Sequence, residues 1–193
     1  MRENYSMAIF CGSRLGARPV FADAARALGH AMAEQGVRLV YGGGNNGLMG
    51  VLADAVLAGG GTVVGVIPEF LTKSEVAHAR LTEIVVVDSM HARKRRMADL
   101  ADAFVTLPGG IGTIDETIEI ITWRQLRLHD KPIFICDVEG SAAPLVTAID
   151  GLIDLGFCGP EIRTLFTIAN GVPELLDHMR LRPRGAGLDT TRI

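Results

Sequence analysis

The chain has 193 residues, of which 48% are hydrophobic and 21% are charged, and its formal net charge is −3. This length and balance predict a single globular domain with a sizeable core, and the composition is typical neither of a disordered protein nor of a coiled coil. The slight negative charge argues against a general nucleic-acid binder, and no apolar run has the length of a membrane span or the context of a signal peptide. We therefore expect a cytoplasmic protein that binds neither nucleic acid nor a membrane.

In the first half of the chain, apolar runs alternate with helical patterns, and glycines or a proline separate them. Predicted strands occupy residues 7–11, 37–41 and 62–67, and predicted helices occupy residues 20–35 and 48–58. The segment 68–82 has no clear period, so we predict a loop with one helical turn and regard it as a candidate lid.

The same alternation continues through the second half. Predicted strands occupy residues 83–87, 103–106, 133–136 and 165–169, and predicted helices include 90–100, one that ends near 128, 143–155, a short one near 161 and one from 173. This order predicts an α/β fold with a single Rossmann-like, doubly wound parallel sheet flanked by helices. We expect residues 1–182 to form one domain and residues 183–193 to be a flexible tail. Because ligands of such sheets bind beyond the carboxyl ends of the strands, the glycine turns should converge on one crevice.

The turn after the second predicted strand, GGGNNG at residues 42–47, matches the pattern G-x-G-x-x-G and opens a helix. Three interpretations stay open: phosphate or nucleotide binding, NAD binding with Glu69 reading a ribose, and a purely structural turn. The position after the second strand, and the little room for a separate substrate domain, disfavour NAD.

The stretch PGGIGTIDE at residues 108–116 joins a buried strand to a helix. Its glycines let backbone N–H groups approach a phosphate, Thr113 adds a hydroxyl, and the helix N-terminus is positive. Asp115 and Glu116 would repel that phosphate unless they point elsewhere. Glu116 can stabilise a developing cation or orient a water, whereas Asp115 and Glu119 also fit simple partners of the helix dipole. The buried stripe of this helix is predicted to be Ile114, Ile118 and Ile121.

The stretch SMHARKRRM at residues 89–97 carries four consecutive cations. A solvated helix face is the ordinary interpretation of such a run. On a helix, however, Met90, Arg93 and Met97 share one face, while Lys94 diverges from it. An arginine on a partly apolar face is costly unless it meets an anion, which favours a functional role for Arg93.

Other polar groups are expected to have lesser roles. Ser13 lacks the G-x-S-x-G context of a nucleophile elbow, so we predict a hydroxyl donor to phosphate or ribose. The three cysteines and five histidines lack metal-ligand spacing. We therefore predict reduced thiols and no metal site.

Together these motifs closely resemble the LOG family, the cytokinin-activating phosphoribohydrolases whose older label is lysine decarboxylase-like. The family patterns P-G-G-x-G-T-x-x-E and S/D-M-H-x-R-K match residues 108–116 and 89–94, and the resemblance extends over residues 7–180. It implies a nucleotide-binding catalytic domain that hydrolyses the N-glycosidic bond of adenosine 5'-monophosphates, including N6-modified ones. The products would be the free base and ribose 5-phosphate. The resemblance also implies a homodimer that needs no cofactor.

The resemblance assigns Arg93 and Glu116 as the catalytic pair. Glycoside cleavage passes through an oxocarbenium-like state, which a carboxylate beside the anomeric carbon can stabilise. The implied substrate contacts are Ser13, Gly43, Gly44, Glu75, Met90, Lys94, Pro108, Gly109, Gly110, Gly112 and Thr113. Two departures from the family pattern bear on substrate preference: Asp115 replaces the usual Glu, and Ile111 replaces a common aromatic residue.

Two other functions fit parts of the sequence. A non-catalytic nucleotide or molybdenum-cofactor carrier would share the turn chemistry, although Arg93 and Glu116 argue against it. A PLP-dependent lysine decarboxylase would need a Schiff-base lysine in a large cofactor fold. The only lysines are Lys73, Lys94 and Lys131, and none has such a setting.

Overall fold

A computed structural model describes residues 5–72 and 77–180 of the chain. The strands of these residues are β1 (Ser6–Phe10), β2 (Arg38–Tyr41), β3 (Val63–Pro68), β4 (Glu83–Val87), β5 (Ala103–Thr106), β6 (Ile133–Asp137) and β7 (Thr167–Asn170). Their α-helices are α1 (Pro19–Glu34), α2 (Gly47–Ala58), α3 (Met90–Leu100), α4 (Ile111–Gln125), α5 (Ala143–Asp154) and α6 (Gly171–Arg180). Short 3-10 helices lie at Glu69–Leu71 and Pro160–Thr164.

The strands form one sheet in the order β4-β3-β2-β1-β5-β6-β7, and every neighbouring pair is parallel. The chain begins in the middle of the sheet, builds outward to β4 and then returns to place β5 on the other side of β1. Met7 of β1 therefore pairs with both Leu39 of β2 and Ala103 of β5. The reversal leaves a crevice beyond the carboxyl ends of β1 and β5, where doubly wound sheets bind ligands. The predicted fold class is confirmed.

Helices cover both faces of the sheet, so the central strands are apolar on both sides. Met7 and Ile9 of β1 pack with buried residues of α1 and α2 on one face. Ala8 and Phe10 pack on the other face with residues of α3, α4 and α5. Because all of β1 is buried, the core holds its carboxyl end, and the turn that follows, in a fixed place.

The predicted strands and helices are all present, with bounds shifted by a few residues. Gly36 takes a φ of 65° just after α1, the left-handed conformation that commonly ends a helix. The predicted helical turn in the loop after β3 is the 3-10 helix Glu69–Leu71. Helix α4 ends at Gln125 rather than near residue 128, because Arg127 adopts a left-handed φ of 61°.

Helix α4 buries a different face from the predicted one. The stripe of Ile114, Ile118 and Ile121 is wrong, since Ile118 is 39% exposed. The buried residues of the helix are Thr113, Thr117, Ile120 and Ile121. Thr117 can face the core because its hydroxyl donates to the carbonyl of Thr113 at 2.7 Å and lies 2.8 Å from the hydroxyl of Thr106 on β5. Thr117, whose hydroxyl is hydrogen-bonded, therefore packs against the sheet in place of the predicted Ile118.

Two predicted features, Glu75 and the tail at residues 183–193, lie outside the described residues. Within the described part of the chain, the helices are too short or too polar to cross a bilayer.

Candidate active site

A cleft of about 600 Å³ opens beyond the carboxyl ends of β1 and β5. The turns after the two strands are tied together, because the N–H of Gly12 donates to the carbonyl of Pro108 at 3.0 Å. The carbonyl of Gly12 in turn accepts from the N–H of Leu48 in α2 at 3.0 Å. A side chain at Gly12 would press on the backbone of Arg14 and Gly109. Glycine at this position therefore lets the two turns meet.

The start of α4 lies within the predicted phosphate-binding stretch, residues 108–116. The N-cap residue Gly110 has no side chain to cap the helix, so the first N–H groups of α4 face the cleft without a capping oxygen. A Cβ at Gly109 would collide with the side chain of Thr113. Gly110 and Gly112 have open space in front of them. This arrangement of exposed amides at a positive helix end suits an anion.

Arg93 reaches the cleft from the first turns of α3. Ser89 caps this helix, since its hydroxyl accepts from the N–H of Ala92 at 3.1 Å. The Arg93 side chain is buried, with the residue only 7% exposed. Its Nη2 donates a long hydrogen bond of 3.5 Å to the carbonyl of Gly42, and Nη1 lies 3.8 Å from Sδ of Met90. Its Nε has no hydrogen-bond partner among the described residues. A buried guanidinium with an unused donor can receive a polar ligand group.

Glu116 faces Arg93 across the cleft. Its Oε1 lies 3.8 Å from Nη2 of Arg93, and its side chain is 12% exposed. Burial, and secondly the charge of Glu116, raises the pKa of the neighbouring Cys11 far above its usual range. Cys11 therefore remains a protonated thiol at neutral pH and is unsuited to act as a nucleophile. The structure thus brings together the two side chains that the resemblance assigns to catalysis.

Lys94 points to the other side of the α3–α4 contact. Its ammonium lies 3.1 Å from Asp115 and 2.9 Å from Glu119. Burial disfavours its charge, but hydrogen bonds to Glu119 and Asp115 outweigh burial and raise the pKa of Lys94. The ammonium therefore stays charged at neutral pH. Asp115 lines the cleft, whereas Lys94 is not among the described residues that line it.

Most of the other predicted site residues line the same cleft. They are Ser13, Met90, Pro108, Gly109, Gly110, Gly112 and Thr113. Gly43 and Gly44 lie instead at the turn after β2, where Gly43 accepts from the N–H of His78 at 3.1 Å and Gly44 pairs with Ala77. That turn holds the end of the loop after β3.

The glycines of the G-x-G-x-x-G match have packing roles in this structure. Gly47 takes a φ of 59°, and a Cβ there would collide with the backbone between Ser13 and Arg14. A side chain at Gly42 would occupy the place of the Arg93 guanidinium. The motif therefore lets three segments approach closely, which supports its interpretation as a structural turn beside the site.

Several lining residues were not predicted from the sequence. They include Cys11, Arg14, Leu15, Phe21, Leu48, Met49 and Ser141. Cys11 is the last residue of the first predicted strand, and its place at the carboxyl end of that strand could have predicted its position in the cleft. Phe21 and Ser141 come from α1 and from the turn before α5. Their approach to the cleft depends on helix packing, for which the local sequence carries no pattern.

Comparisons with known proteins show the family to which this chain belongs. A family model described as "Possible lysine decarboxylase" matches residues 49–179. The probable cytokinin riboside 5'-monophosphate phosphoribohydrolase LOGL1 of Oryza sativa subsp. japonica is 46% identical over 171 residues, which span 89% of this chain and 77% of that protein. The cytokinin riboside 5'-monophosphate phosphoribohydrolase LOG2 of Arabidopsis thaliana is 43% identical over 168 residues, or 87% of this chain and 79% of that protein.

Among solved structures, the molybdenum cofactor binding protein of the phototrophic bacterium Rippkaea orientalis has a TM-score of 0.70. The match covers 93% of this chain and 98% of that chain at 17% identity. Likeness at this identity shows the fold alone. The sequence matches are closer and span most of both chains, and so this chain belongs to the LOG family of phosphoribohydrolases, which the possible lysine decarboxylase model describes.

Proposed function

We propose that this protein hydrolyses the N-glycosidic bond of adenosine 5'-monophosphates, including N6-modified ones, to the free base and ribose 5-phosphate. The observation that carries the proposal is the pair of Arg93 and Glu116, 3.8 Å apart and largely buried, beside the amides at the start of α4. The names of the relatives at 43% and 46% identity support it.

The phosphate would bind at the N-terminus of α4. Backbone amides of Gly109, Gly110 and Gly112, with the hydroxyl of Thr113, would donate to its oxygens, and Ser13 would contribute from the turn after β1. The phosphate is remote from the bond that breaks. Its binding energy can therefore orient the ribose without being lost in the reaction.

The sugar would then lie with its anomeric carbon beside Glu116. As the bond from this carbon to the base nitrogen breaks, its electron pair leaves with the base and positive charge develops on the sugar. The carboxylate stabilises that charge and can accept a proton from the attacking water. The hydroxyl group of the water molecule joins the sugar, and the remaining proton of the water passes to the departing base. Arg93 lies opposite Glu116 with Nη2 at 3.8 Å from Oε1, and it would offer its unused Nε to the substrate.

The rest of the nucleotide would extend toward Met90 and the turn after β2. Met90 lines the cleft next to Arg93, and Gly43 and Gly44 lie beyond Gly42. We include Glu75 in this group on the family resemblance alone.

The experiment incubates the purified protein with AMP and with N6-isopentenyl-AMP and measures free base. Glu116→Ala and Arg93→Ala should each lower turnover by roughly 100- to 1,000-fold, the range for groups that stabilise transition-state charge. Glu161→Ala removes an exposed acid of the remote 3-10 helix and is the control. Full turnover in Glu116→Ala would contradict the mechanism.

Two outcomes of the same experiment would favour other functions. Tight nucleotide binding without base release would indicate a carrier protein. A pyridoxal absorption band with CO2 release from lysine would indicate the decarboxylase.

A cytoplasmic homodimer is part of the proposal. Ile118, Leu126 and Leu128 are exposed apolar residues on α4 and the turn after it, and burial of exposed apolar surface favours association. Sedimentation equilibrium should give twice the mass of one chain, and Ile118→Asp should lower it. Cell fractionation tests the compartment.

A further inference from the structure

Two adjacent residues of α3 bind adjacent positions of α4. Arg93 faces Glu116 at 3.8 Å, and Lys94 binds Asp115 at 3.1 Å and Glu119 at 2.9 Å. The Lys94 side chain is only 10% exposed. The two helices are therefore joined at the catalytic pair and again directly beside it.

The second contact fixes the rotation of α4. Asp115 and Glu119 are one turn apart on the helix, so they lie on nearly the same face, and Glu116 lies on the neighbouring face. One ammonium that holds both carboxylates resists rotation and sliding of α4 against α3. Because Glu116 is rigidly part of α4, its distance from Arg93 depends on that contact.

The charges at Lys94 do not suit direct binding of a phosphate. One ammonium between two carboxylates leaves the cluster with a net negative charge. The ammonium donates a hydrogen bond to Asp115 and forms an ion pair with Glu119, and Lys94 is not among the described residues that line the cleft. A substrate phosphate would have to compete with both carboxylates for this side chain.

We propose that Lys94 is a positioning residue, whose ammonium fixes α4 against α3 and thereby holds Glu116 at its working distance from Arg93. This inference rests on the proposed hydrolysis, and it separates Lys94 from the residues that touch the nucleotide. A displacement of a catalytic group by about 1 Å can lower the rate on the order of 100-fold.

The test measures kcat and KM for AMP, and inhibition by ribose 5-phosphate, in Lys94→Met, Lys94→Arg and Glu119→Gln. We expect Lys94→Met to lower kcat by roughly 10- to 100-fold while KM and the inhibition constant stay within about twofold. Lys94→Arg should restore much of kcat, because a guanidinium can hold both carboxylates. Arg163→Met breaks the Arg163–Asp150 ion pair away from the cleft and should leave both constants unchanged.

Glu119→Gln separates the two roles of Lys94 without removing the lysine. If Lys94 positions α4, this variant loses kcat at constant KM. If Lys94 binds the substrate, loss of a competing carboxylate should lower KM and leave kcat intact, and this result overturns the inference. A rise of KM alone in Lys94→Met overturns it as well.

The wild-type protein distinguishes failure of the inference from failure of the proposed function. Wild-type protein that releases no base from AMP or its N6-modified forms contradicts the function, and the positioning role falls with it. Active wild-type protein with unchanged kcat in Lys94→Met contradicts the positioning role alone. Should Lys94→Met not fold, as judged by circular dichroism, Glu119→Gln decides.

Discussion

The guanidinium of Arg93 occupies the space that a side chain at Gly42 would fill. Its Nη2 lies 3.5 Å from the Gly42 carbonyl oxygen, and a Cβ on that residue would overlap the guanidinium. Glycine at position 42 is therefore needed for the placement of Arg93. The glycine turn after β2 thus bears on catalysis through an arginine of another helix.

Gly42→Ala should impair the reaction more than the fold. The methyl group would displace the Arg93 guanidinium from its place opposite Glu116, and we expect kcat for AMP to fall roughly 100-fold, as for other small displacements of catalytic groups. Overpacking at the site should cost about 1–3 kcal/mol of unfolding free energy. Steady-state kinetics and urea unfolding measure the two effects.

Gly151→Ala is the matched control for that variant. It adds the same methyl group in α5, where nothing lies within 4 Å of the new Cβ. Alanine is favoured over glycine in a helix by about 0.5–1 kcal/mol, so this variant should be slightly more stable and fully active. Wild-type kcat in Gly42→Ala would contradict the steric dependence of Arg93 on Gly42.

Gly109→Ala should weaken phosphate binding at the start of α4. Its methyl group would meet the side chain of Thr113, which would displace the first turn of α4 from the phosphate. We expect KM for AMP to rise at least tenfold, equivalent to about 1.4 kcal/mol of binding, and inhibition by ribose 5-phosphate to weaken in parallel. Turnover of adenosine, which lacks the phosphate, is the internal control and should change little. Equal losses for AMP and adenosine would show general damage to the site.

The positions of Arg93 and Glu116 could be predicted because local patterns carry them. A strand, a glycine turn and a helix N-terminus in this order expose backbone N–H groups that can bind an anion. Met97 and Arg93 share the inner face of α3, as their spacing predicts, and both are buried. The reversal between β1 and β5 follows from the alternation of strands and helices once the sheet is doubly wound.

Contacts between helices could not be predicted in the same way. The period of α4 favoured Ile118 for the core, but the hydroxyl of Thr106 on β5 lets Thr117 take the buried position. The pairing of Lys94 with Glu119 depends on the relative rotation of two helices, which no local spacing determines. The approach of Gly42 to Arg93 joins positions 51 residues apart.

Thr117→Val should destabilise the fold through hydrogen bonding alone, since the two side chains have nearly the same shape. The variant leaves the buried hydroxyl of Thr106 without its partner at 2.8 Å, and we expect a loss of about 1–3 kcal/mol of unfolding free energy. Thr122→Val is the control, because Thr122 makes the same type of bond to the carbonyl four residues earlier but is exposed. Its effect should stay within about 0.5 kcal/mol. Equal stabilities in urea unfolding would mean that the Thr106 hydroxyl finds another partner.

His129 should make the fold less stable in mild acid. Its Nε2 lies 3.0 Å from the carbonyl of Ile120 near the end of α4, and its ring packs on Phe104 with 5.2 Å between centroids. Burial, together with the nearby cations Lys131 and Arg124, lowers the pKa of His129 despite that hydrogen bond. The folded state therefore binds fewer protons than the unfolded state below about pH 6.5, the ordinary value for histidine.

The stabilising contribution of neutral His129 is thus complete above about pH 6.5 and is lost as the pH falls through the lower folded-state pKa. His129→Gln keeps an N–H donor for the Ile120 carbonyl but cannot titrate. Urea unfolding at pH 8 and pH 5 should show a smaller loss of stability on acidification in this variant than in the wild-type protein. His30→Gln, which removes an exposed histidine of α1, controls for the loss of a histidine as such. The same loss of stability in His129→Gln and in wild-type protein would mean that other groups carry the acid sensitivity.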